Sequence, residues 1–435
     1  MNKIFYLLVI FLFVSNCSLD TKSGLWTKSQ KLDSENKNLE VKIFEENVIY
    51  KEELNTDLKI KLKNDFKKNS FINNLSNNNG IVNFDGSIDK IKKFKFSKID
   101  QFDNYQPELL ITNNNNLIFF DDKGTVLNFS SENKLIWKNN YYSKREKKLK
   151  PILYFAANEK TLIVADSISK YYAININDGK LNWIKNNIAP FNSQIKIFKD
   201  KFFVVDFENI LRCFSIKNGK EIWRVKTETS FIKSQKKISL VIIDNKVIFN
   251  NSVGDISAVD IRNGNLIWQT PTQSNKIYED TFFLKMSDLV GYKDAILIST
   301  NKNQFFSLDL RSGTINWKQK INSDLRPTLI DNLIFTFTLE GLFIVIDSKN
   351  GNIIRITDVF KKYKVEKFLK KKKNKKIIKP VGFIVGKENV YLSLDNGRIM
   401  IIDILTGNEK SILKIDGEKI SRPFILNQNL FIVKN

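Results

Sequence analysis

The residues best suited to chemistry in this sequence are four aspartates, each placed four positions before a glycine: Asp260, Asp309, Asp347 and Asp403. Carboxylates can act as general acids or bases. Histidine, the commonest general base near neutral pH, is absent from all 435 residues. A carboxylate at this place also accepts hydrogen bonds from the N–H groups of a turn, while glycine adopts the positive φ that other residues resist. We therefore interpret these aspartates as turn formers and predict no catalytic residue, no metal site and no cofactor.

The two cysteines are the other reactive side chains. Cys17 follows the apolar run Ile4–Val14, which is too short to span a hydrocarbon core of about 30 Å and is typical of an export signal. Cys213 is left unpaired, so no disulfide framework exists. Its apolar neighbours predict a small buried strand residue.

The residues around Cys17, Val14–Cys17, resemble the lipobox of bacterial lipoproteins, although Asn16 replaces the usual small residue. This resemblance implies a signal peptide over residues 1–16 and a lipid anchor on the Cys17 thiol. By the same resemblance, Ser18 implies the periplasmic face of the outer membrane as the destination. An ordinary signal peptide with an incidental cysteine is the alternative.

An internal repeat predicts the elements that position these residues. The chain returns to a short apolar run, a polar turn and a tryptophan four residues after the turn glycine, and a degenerate first copy has Asn133 in place of the glycine. Two late copies lose the tryptophan and have Arg355 or Ser411 in its place. The repeat positions are Trp137, Trp183, Trp223, Trp268 and Trp317, with Gly179, Gly219, Gly264, Gly313, Gly351 and Gly407.

Successive tryptophans are 46, 40, 45 and 49 residues apart, which is the length of one propeller blade of four short strands. The segments between them, such as Leu162–Asp166 and Tyr171–Ile176, are rich in β-branched and aromatic residues and alternate on a period of two, which favours strands over a two-helix repeat. Each indole is expected to cover the gap between neighbouring sheets.

The end of the chain predicts how the ring closes. Arg422-Pro423 begins another unit, but the chain stops after two of its strands. Gly80–Phe84 and Lys90–Ile99 supply the two missing strands, with Phe96 in the tryptophan position. We therefore predict an all-β fold over residues 80–435, an eight-bladed β-propeller of four-stranded antiparallel blades whose last blade is shared by the termini. Residues 17–79 are predicted to be an extended tether, with one possible strand at Val41–Tyr50.

The formal charge of +23 is spread along the whole chain, which argues against nucleic acid as a partner. Lysines are concentrated in the insertion Lys361–Lys379. We interpret this insertion as a solvated loop; a contact with lipid headgroups or an acidic partner is the alternative.

The unit Ser257–Trp268, SAVDIRNGNLIW, resembles the pyrroloquinoline-quinone-type propeller repeat. With the lipobox, the tether and eight blades, the chain is similar to the BamB family of lipoproteins. This resemblance implies a non-enzymatic scaffold of the outer-membrane β-barrel assembly machinery. Such a scaffold binds the central barrel-assembly subunit, assists insertion of outer membrane proteins, and is monomeric outside the complex.

The family binds that subunit through loops that correspond by position to Phe231–Lys237 and Lys285–Asp288, although the side chains here depart from the family pattern. The same Phe231 and Ile232 could instead begin a buried strand. The candidate partner-binding residues are Phe231, Ile232, Lys233, Ser234, Gln235, Met286 and Asp288.

Two other functions stay open. A quinoprotein dehydrogenase uses the same repeat, but the resemblance would require a calcium site, a catalytic aspartate and a pair of adjacent cysteines that this chain lacks. A propeller lipoprotein of the cell envelope that binds a ligand, unrelated to barrel assembly, is the third possibility.

Overall fold

The computed structural model describes residues 50, 52–63, 80–82, 84, 88, 109–112, 114–132, 134–230, 233–273, 282–363, 378–426 and 428–434. In this part of the chain, regular structure consists almost entirely of strands, which form seven four-stranded antiparallel sheets and one two-stranded sheet. We call these sheets blades 1 to 8 in chain order. Together they confirm the predicted all-β propeller. No helix among the described residues is long and apolar enough to cross a membrane.

The first four blades each contain four strands. Their bounds are β1 (Leu110–Ile111), β2 (Leu117–Phe120), β3 (Thr125–Phe129) and β4 (Leu135–Asn140) in blade 1; β5 (Leu153–Ala157), β6 (Thr161–Asp166), β7 (Lys170–Asn175) and β8 (Leu181–Asn186) in blade 2; β9 (Lys196–Phe198), β10 (Lys201–Val205), β11 (Ile210–Ser215) and β12 (Glu221–Lys226) in blade 3; and β13 (Leu240–Ile243), β14 (Lys246–Asn250), β15 (Asp255–Asp260) and β16 (Leu266–Pro271) in blade 4.

The remaining blades follow the same plan until the last, which has two described strands. Their bounds are β17 (Val290–Tyr292), β18 (Ala295–Thr300), β19 (Gln304–Asp309) and β20 (Ile315–Gln319) in blade 5; β21 (Thr328–Ile330), β22 (Leu333–Phe337), β23 (Leu342–Asp347) and β24 (Ile353–Asp358) in blade 6; β25 (Pro380–Val385), β26 (Asn389–Leu394), β27 (Arg398–Asp403) and β28 (Glu409–Lys414) in blade 7; and β29 (Phe424–Leu426) and β30 (Asn429–Phe431) in blade 8. One short helix, α1 (Lys144–Lys148), joins blades 1 and 2.

Consecutive strands pair in chain order within each blade, and from blade 1 to blade 6 the first strands of neighbouring blades contact each other. The first strands therefore lie nearest the axis and the fourth strands form the rim. Because the strands alternate in direction, the linkers between blades lie at one end of the ring, together with the turns that join second and third strands. We call this end the linker face. The opposite end, which we call the turn face, carries the glycine turns.

The predicted turn formers are confirmed by their contacts. The carboxylate of Asp309 accepts hydrogen bonds from the N–H groups of Arg311 and Ser312, at 3.0 and 2.7 Å, and Asp403 accepts one from Thr406 at 2.8 Å. A turn amide in this arrangement has a charged acceptor, which stabilises the turn. These carboxylates therefore hold the turns on which the repeat tryptophans depend.

Each repeat tryptophan packs on the turn glycine of the next blade, as predicted for a side chain that closes the gap between sheets. A Cβ added to Gly313 would lie 2.5 Å from the ring of Trp268, so only glycine fits beneath the indole. The indole N–H of Trp268 donates to the carbonyl of Leu310 at 3.1 Å, three residues before that glycine. Trp137, Trp183 and Trp317 donate to equivalent carbonyls in their neighbouring blades, at 3.0, 2.8 and 3.0 Å.

Blade 6 replaces the tryptophan with Arg355, whose side chain is fully buried. Its guanidinium donates to the carbonyls of Ile404 at 3.1 Å and Leu405 at 2.7 Å, beside Gly407 in blade 7. Arg355 thus makes the same kind of contact between blades as the indoles. Burial lowers the pKa of Arg355 to about 10, although the nearby Asp403 favours its charged form.

The two ends of the ring meet where blade 8 packs on blade 1. Leu426 of β29 and the partly buried Phe431 of β30 share a hydrophobic cluster with Ile111 and Leu117 of blade 1. This contact closes the ring and protects sheet faces that would otherwise be exposed.

The predicted strand at Gly80–Phe84 is wrong for its described residues, which form no strand. The carbonyl of Phe84 accepts a hydrogen bond from Lys387, in the turn between β25 and β26 of blade 7, at 3.1 Å. Val82 and Phe84 are buried in the cluster that joins blades 7, 8 and 1. The segment therefore contributes apolar side chains, while its backbone bonds to a turn of blade 7. Lys90–Ile99 and Phe96 lie outside the described residues.

Cys213 is buried in β11, as predicted, and burial raises the pKa of its thiol to about 12. A thiol with so high a pKa is unreactive at neutral pH. Cys17 and the signal peptide lie outside the described residues.

Candidate protein-docking site

The two loops predicted to bind a partner lie side by side on the linker face. One joins blades 3 and 4, and the other joins blades 4 and 5. The Ser234 hydroxyl of the first loop donates to the Leu284 carbonyl of the second at 2.5 Å. The structure therefore brings the two predicted loops together into one surface.

Several of the predicted side chains point inward. Lys233 is buried, and its ammonium donates to the carbonyl of Phe207 at 2.9 Å and to the carboxylate of Glu208 at 3.1 Å. Ser234 and Met286 are also buried, Met286 in the core that joins blades 4 and 5. These three residues build the framework of the loops. Gln235 is exposed, whereas Phe231 and Ile232 lie outside the described residues.

Asp288 lies at the axis of the ring. Its carboxylate pairs with Arg422 of blade 8 at 3.2 Å, and both side chains are largely buried. Gly382 leaves the room that Arg422 needs, because a Cβ there would lie 2.4 Å from the Cβ of Arg422. Burial alone would raise the pKa of Asp288, but Arg422 and then Lys237 hold it well below its usual range. Asp288 therefore links blades across the axis.

Sequence reasoning missed the most exposed aromatic pair of this surface. Phe282 and Phe283 stand directly before Leu284, with 47% and 65% of their surface exposed. Their rings contact each other edge to face, with centroids 5.3 Å apart. The signal in the sequence was the apolar run Phe282–Leu284 in the linker between blades 4 and 5.

Hydrogen bonds fix the backbone that carries the aromatic pair. The Asn301 side chain donates to the Phe283 carbonyl at 2.9 Å and accepts from the Lys285 N–H at 2.8 Å. The backbone N–H of Asn301 donates to the Lys285 carbonyl at 3.0 Å, and the backbone N–H of Ser287 donates to the Ser299 carbonyl at 2.8 Å. Exposed aromatic side chains on a fixed backbone lose little conformational entropy on binding, which suits them to anchor a protein partner.

A second exposed apolar side chain lies on the neighbouring linker between blades 2 and 3. Ile188 has 89% of its surface exposed. The residues on either side of it are joined by a hydrogen bond from the Asn187 side chain to the Ala189 carbonyl, at 2.9 Å. The linker face therefore presents apolar side chains on two of its linkers, at Ile188 and at the Phe282–Phe283 pair. Apolar groups exposed on a fixed surface of this kind are typical of a protein-binding face.

A buried cluster of titratable groups lies between blades 1 and 2 at this face. The Tyr142 hydroxyl donates to Asp166 at 2.6 Å and lies 3.4 Å from the Tyr172 hydroxyl. Lys170 pairs with Glu146 of α1 at 2.6 Å. The other carboxylate oxygen of Asp166 accepts from the Lys170 N–H at 2.8 Å, so Asp166 also shapes a turn. Burial raises the pKa of Asp166 to about 6.

This raised pKa predicts how stability depends on pH. Folding favours the protonated form of Asp166, so its stabilising contribution is fully present below pH 4 and is lost as the pH rises through 6. The loss amounts to at most about 3 kcal/mol. We expect the difference in unfolding free energy between the natural protein and Asp166→Asn to change by up to this amount between pH 4 and pH 7. Urea unfolding at several pH values measures it, and parallel curves would contradict it.

In the described part of the chain, no three Asp, Glu or Cys side chains converge into a group that could hold a metal ion. The basic side chains of Lys236 and Arg422 instead meet Asp324 and Asp288 near the axis, at 3.4 and 3.2 Å.

Comparison with known proteins gives a consistent fold. Residues 122–357 match the family described as outer membrane protein assembly factor BamB. The crystal structure of BamB from Moraxella catarrhalis superimposes with a TM-score of 0.60 at 12% identity, covering 75% of this chain and 92% of that one. No curated protein sequence matches the chain.

Two dehydrogenases are also similar in structure. A europium-containing methanol dehydrogenase gives a TM-score of 0.58 at 10% identity over 74% of this chain and 81% of that one. A quinohemoprotein alcohol dehydrogenase from Comamonas testosteroni gives 0.53 at 10% identity over 75% and 69%. At such identities the likeness shows the shared propeller fold.

Proposed function

This chain belongs to the family of outer membrane protein assembly factor BamB, and from that premise we propose that it is a non-enzymatic docking subunit of the β-barrel assembly machinery. It binds the central barrel-assembly subunit through the linker face of blades 3 to 5. The observation that carries this proposal is the exposed Phe282–Phe283 pair, which stands beside the two loops that the family resemblance indicates.

The chemistry of this surface suits a protein partner. Interfaces obtain most of their energy from a few aromatic or arginine side chains that become fully buried on binding. Phe283 offers such a side chain, and Asn301 holds the backbone that carries it. The polar side chains around it, such as Gln235 and Lys285, supply the rim that a docking surface needs.

The lipid anchor belongs to the same proposal. Acylation of Cys17 would hold the propeller at the periplasmic face of the outer membrane, because each buried CH₂ contributes about 0.8 kcal/mol and two or more acyl chains bind stably. The central barrel-assembly subunit lies in that membrane, so the anchor raises the local concentration of the docking surface near its partner.

Copurification tests the identity of the partner. The protein, tagged at its C-terminus in the bacterium that makes it, is recovered from membranes dissolved in a mild detergent, with an untagged strain as the control. We expect the central barrel-assembly subunit among the recovered proteins, in proportion to the tagged chain. Recovery of other envelope proteins, and never of that subunit, would contradict the proposal.

A quinoprotein dehydrogenase is the second candidate, favoured by the structural likeness to two such enzymes. We place it second because Cys213 has no neighbouring cysteine in the sequence with which to form the disulfide that the resemblance requires. Binding of the quinone, measured by absorbance and calorimetry, separates the two candidates.

A further inference from the structure

A segment that precedes the repeat lies along the outer edge of blade 6. Leu54 and Ile356 of β24 exchange two backbone hydrogen bonds, at 3.0 and 2.9 Å. The Asn55 side chain adds a third bond, to the carbonyl of Ile354 at 3.1 Å. The segment therefore pairs with the rim strand of blade 6, where an unpaired strand edge would otherwise be exposed.

Arg355 connects this segment to the gap between blades 6 and 7. The same guanidinium nitrogen that donates to Leu405 also donates to the carbonyl of Leu58 at 3.0 Å. Two residues later, the N–H of Ile60 donates to the Leu405 carbonyl at 3.0 Å, and the Ile60 side chain is buried in the core of blades 6 and 7. An indole has one N–H, whereas a guanidinium has five. Arginine at this position can therefore bind the next blade and the segment together.

Polar contacts fix both ends of the segment. At its start, Glu53 accepts hydrogen bonds from the Asp358 N–H at 3.2 Å and from the Lys361 ammonium at 2.6 Å. Tyr50 donates to the Gln319 side chain of blade 5 at 3.1 Å. At its end, the Lys63 N–H donates to the Asp331 carboxylate at 2.6 Å.

We propose that residues 50–63 form a strap that docks on blades 5 to 7, where Arg355 is the main side chain that binds it. This strap fixes the place where the N-terminal tether leaves the propeller. The site takes an extended stretch of this chain, which it recognises through backbone carbonyls and N–H groups. The Trp-to-Arg change in the sixth repeat is thus the feature that makes the gap between blades 6 and 7 a binding site.

The strap shortens the tether. If Cys17 carries the lipid anchor, which rests on the proposed function, the free length runs from Cys17 to Tyr50 rather than to Gly80. At about 3.5 Å per extended residue, its greatest reach falls from about 220 Å to about 115 Å. The tether then leaves from blades 5 and 6, where Tyr50 and Glu53 are held.

Hydrogen exchange of the full chain tests the strap without reference to any partner. We expect peptides that cover residues 52–63 to exchange at least a hundredfold more slowly than an unstructured peptide of the same sequence. Arg355→Met should speed their exchange at least tenfold, because the carbonyls of Leu58, Ile404 and Leu405 lose their donor. Trp268→Phe changes the side chain that packs between blades 4 and 5 instead, so it should leave the exchange of these peptides unchanged.

A second variant covers the case in which Arg355→Met does not fold. Leu54→Pro removes the N–H that bonds to Ile356 and leaves the inner strands of the ring untouched, so it should speed exchange throughout residues 52–63 while the blades stay protected. Unstructured exchange rates for these residues in the natural protein would overturn the proposal. Unchanged protection in both variants would overturn it as well. Neither result bears on whether the barrel-assembly subunit binds.

Discussion

Trp268→Ala is expected to lower the free energy of unfolding by about 3 to 5 kcal/mol, the usual cost of deleting a large buried aromatic side chain. The indole is 8% exposed and lies against Gly313 of the next blade. Its N–H satisfies the carbonyl of Leu310, which would lose this donor. The change also removes packing from the cluster that contains Leu284 and Met286, so the loop that carries Phe283 should loosen.

Urea unfolding measures this loss, and two variants of the same strand serve as controls. Ile267, the neighbour of Trp268, is 43% exposed, so Ile267→Ala should cost less than about 1 kcal/mol. Trp268→Phe keeps an aromatic ring but loses the N–H, so its cost should fall between the two. If Trp268→Ala and Ile267→Ala shift the urea midpoint equally, the indoles do not hold the blades together as we describe.

The fold was predictable because its information is local and repeated. A turn such as Asp309–Gly313 needs a carboxylate and a glycine at fixed spacing, and the following tryptophan must reach the next such turn. Turns and tryptophans of this kind recur every 40 to 49 residues, so the length of one blade follows from the spacing even where single positions differ, as at Arg355. The predicted strand Leu162–Asp166 differs from β6 by a single residue for the same reason.

The burial of the inner strands departs from the predicted alternation. In β6, residues on both faces are buried, because neighbouring blades cover both sides of each sheet. Among the described strands of the four-stranded blades, the rim strands expose the most surface, as β8 does. For the inner strands, amino-acid composition is therefore a better indicator of β-structure than the alternation of apolar and polar residues.

The site was less predictable because its contacts join residues far apart in the sequence. Asp288 pairs with Arg422, 134 residues away, and nothing near either residue indicates that both reach the axis. Arg355 bonds to Leu58 across 297 residues, so the sequence showed only that a tryptophan was missing there. The resemblance to a family indicated the two loops by their sequence position, but it could not show that Lys233, Ser234 and Met286 point inward.

The aromatic pair should dominate the binding of the partner. Phe282→Ala and Phe283→Ala are each expected to weaken binding of the central barrel-assembly subunit at least tenfold, or about 1.4 kcal/mol, because each removes an anchor that the interface would bury. The two rings contact each other, so their effects need not add. The double variant should lose about a hundredfold in affinity. In the unbound protein Phe282 is 47% and Phe283 is 65% exposed, so the variants should fold normally.

The proposed docking surface is tested most directly by the affinity of the purified full chain for the purified central barrel-assembly subunit, measured by calorimetry. Ile222→Ala is the matched control, because Ile222 is 46% exposed on the rim strand of blade 3 and away from the linker face. We predict that the Phe282→Ala/Phe283→Ala variant binds about a hundredfold more weakly and that Ile222→Ala binds as the natural protein does. Equal affinity of the double variant and the natural protein would contradict the account.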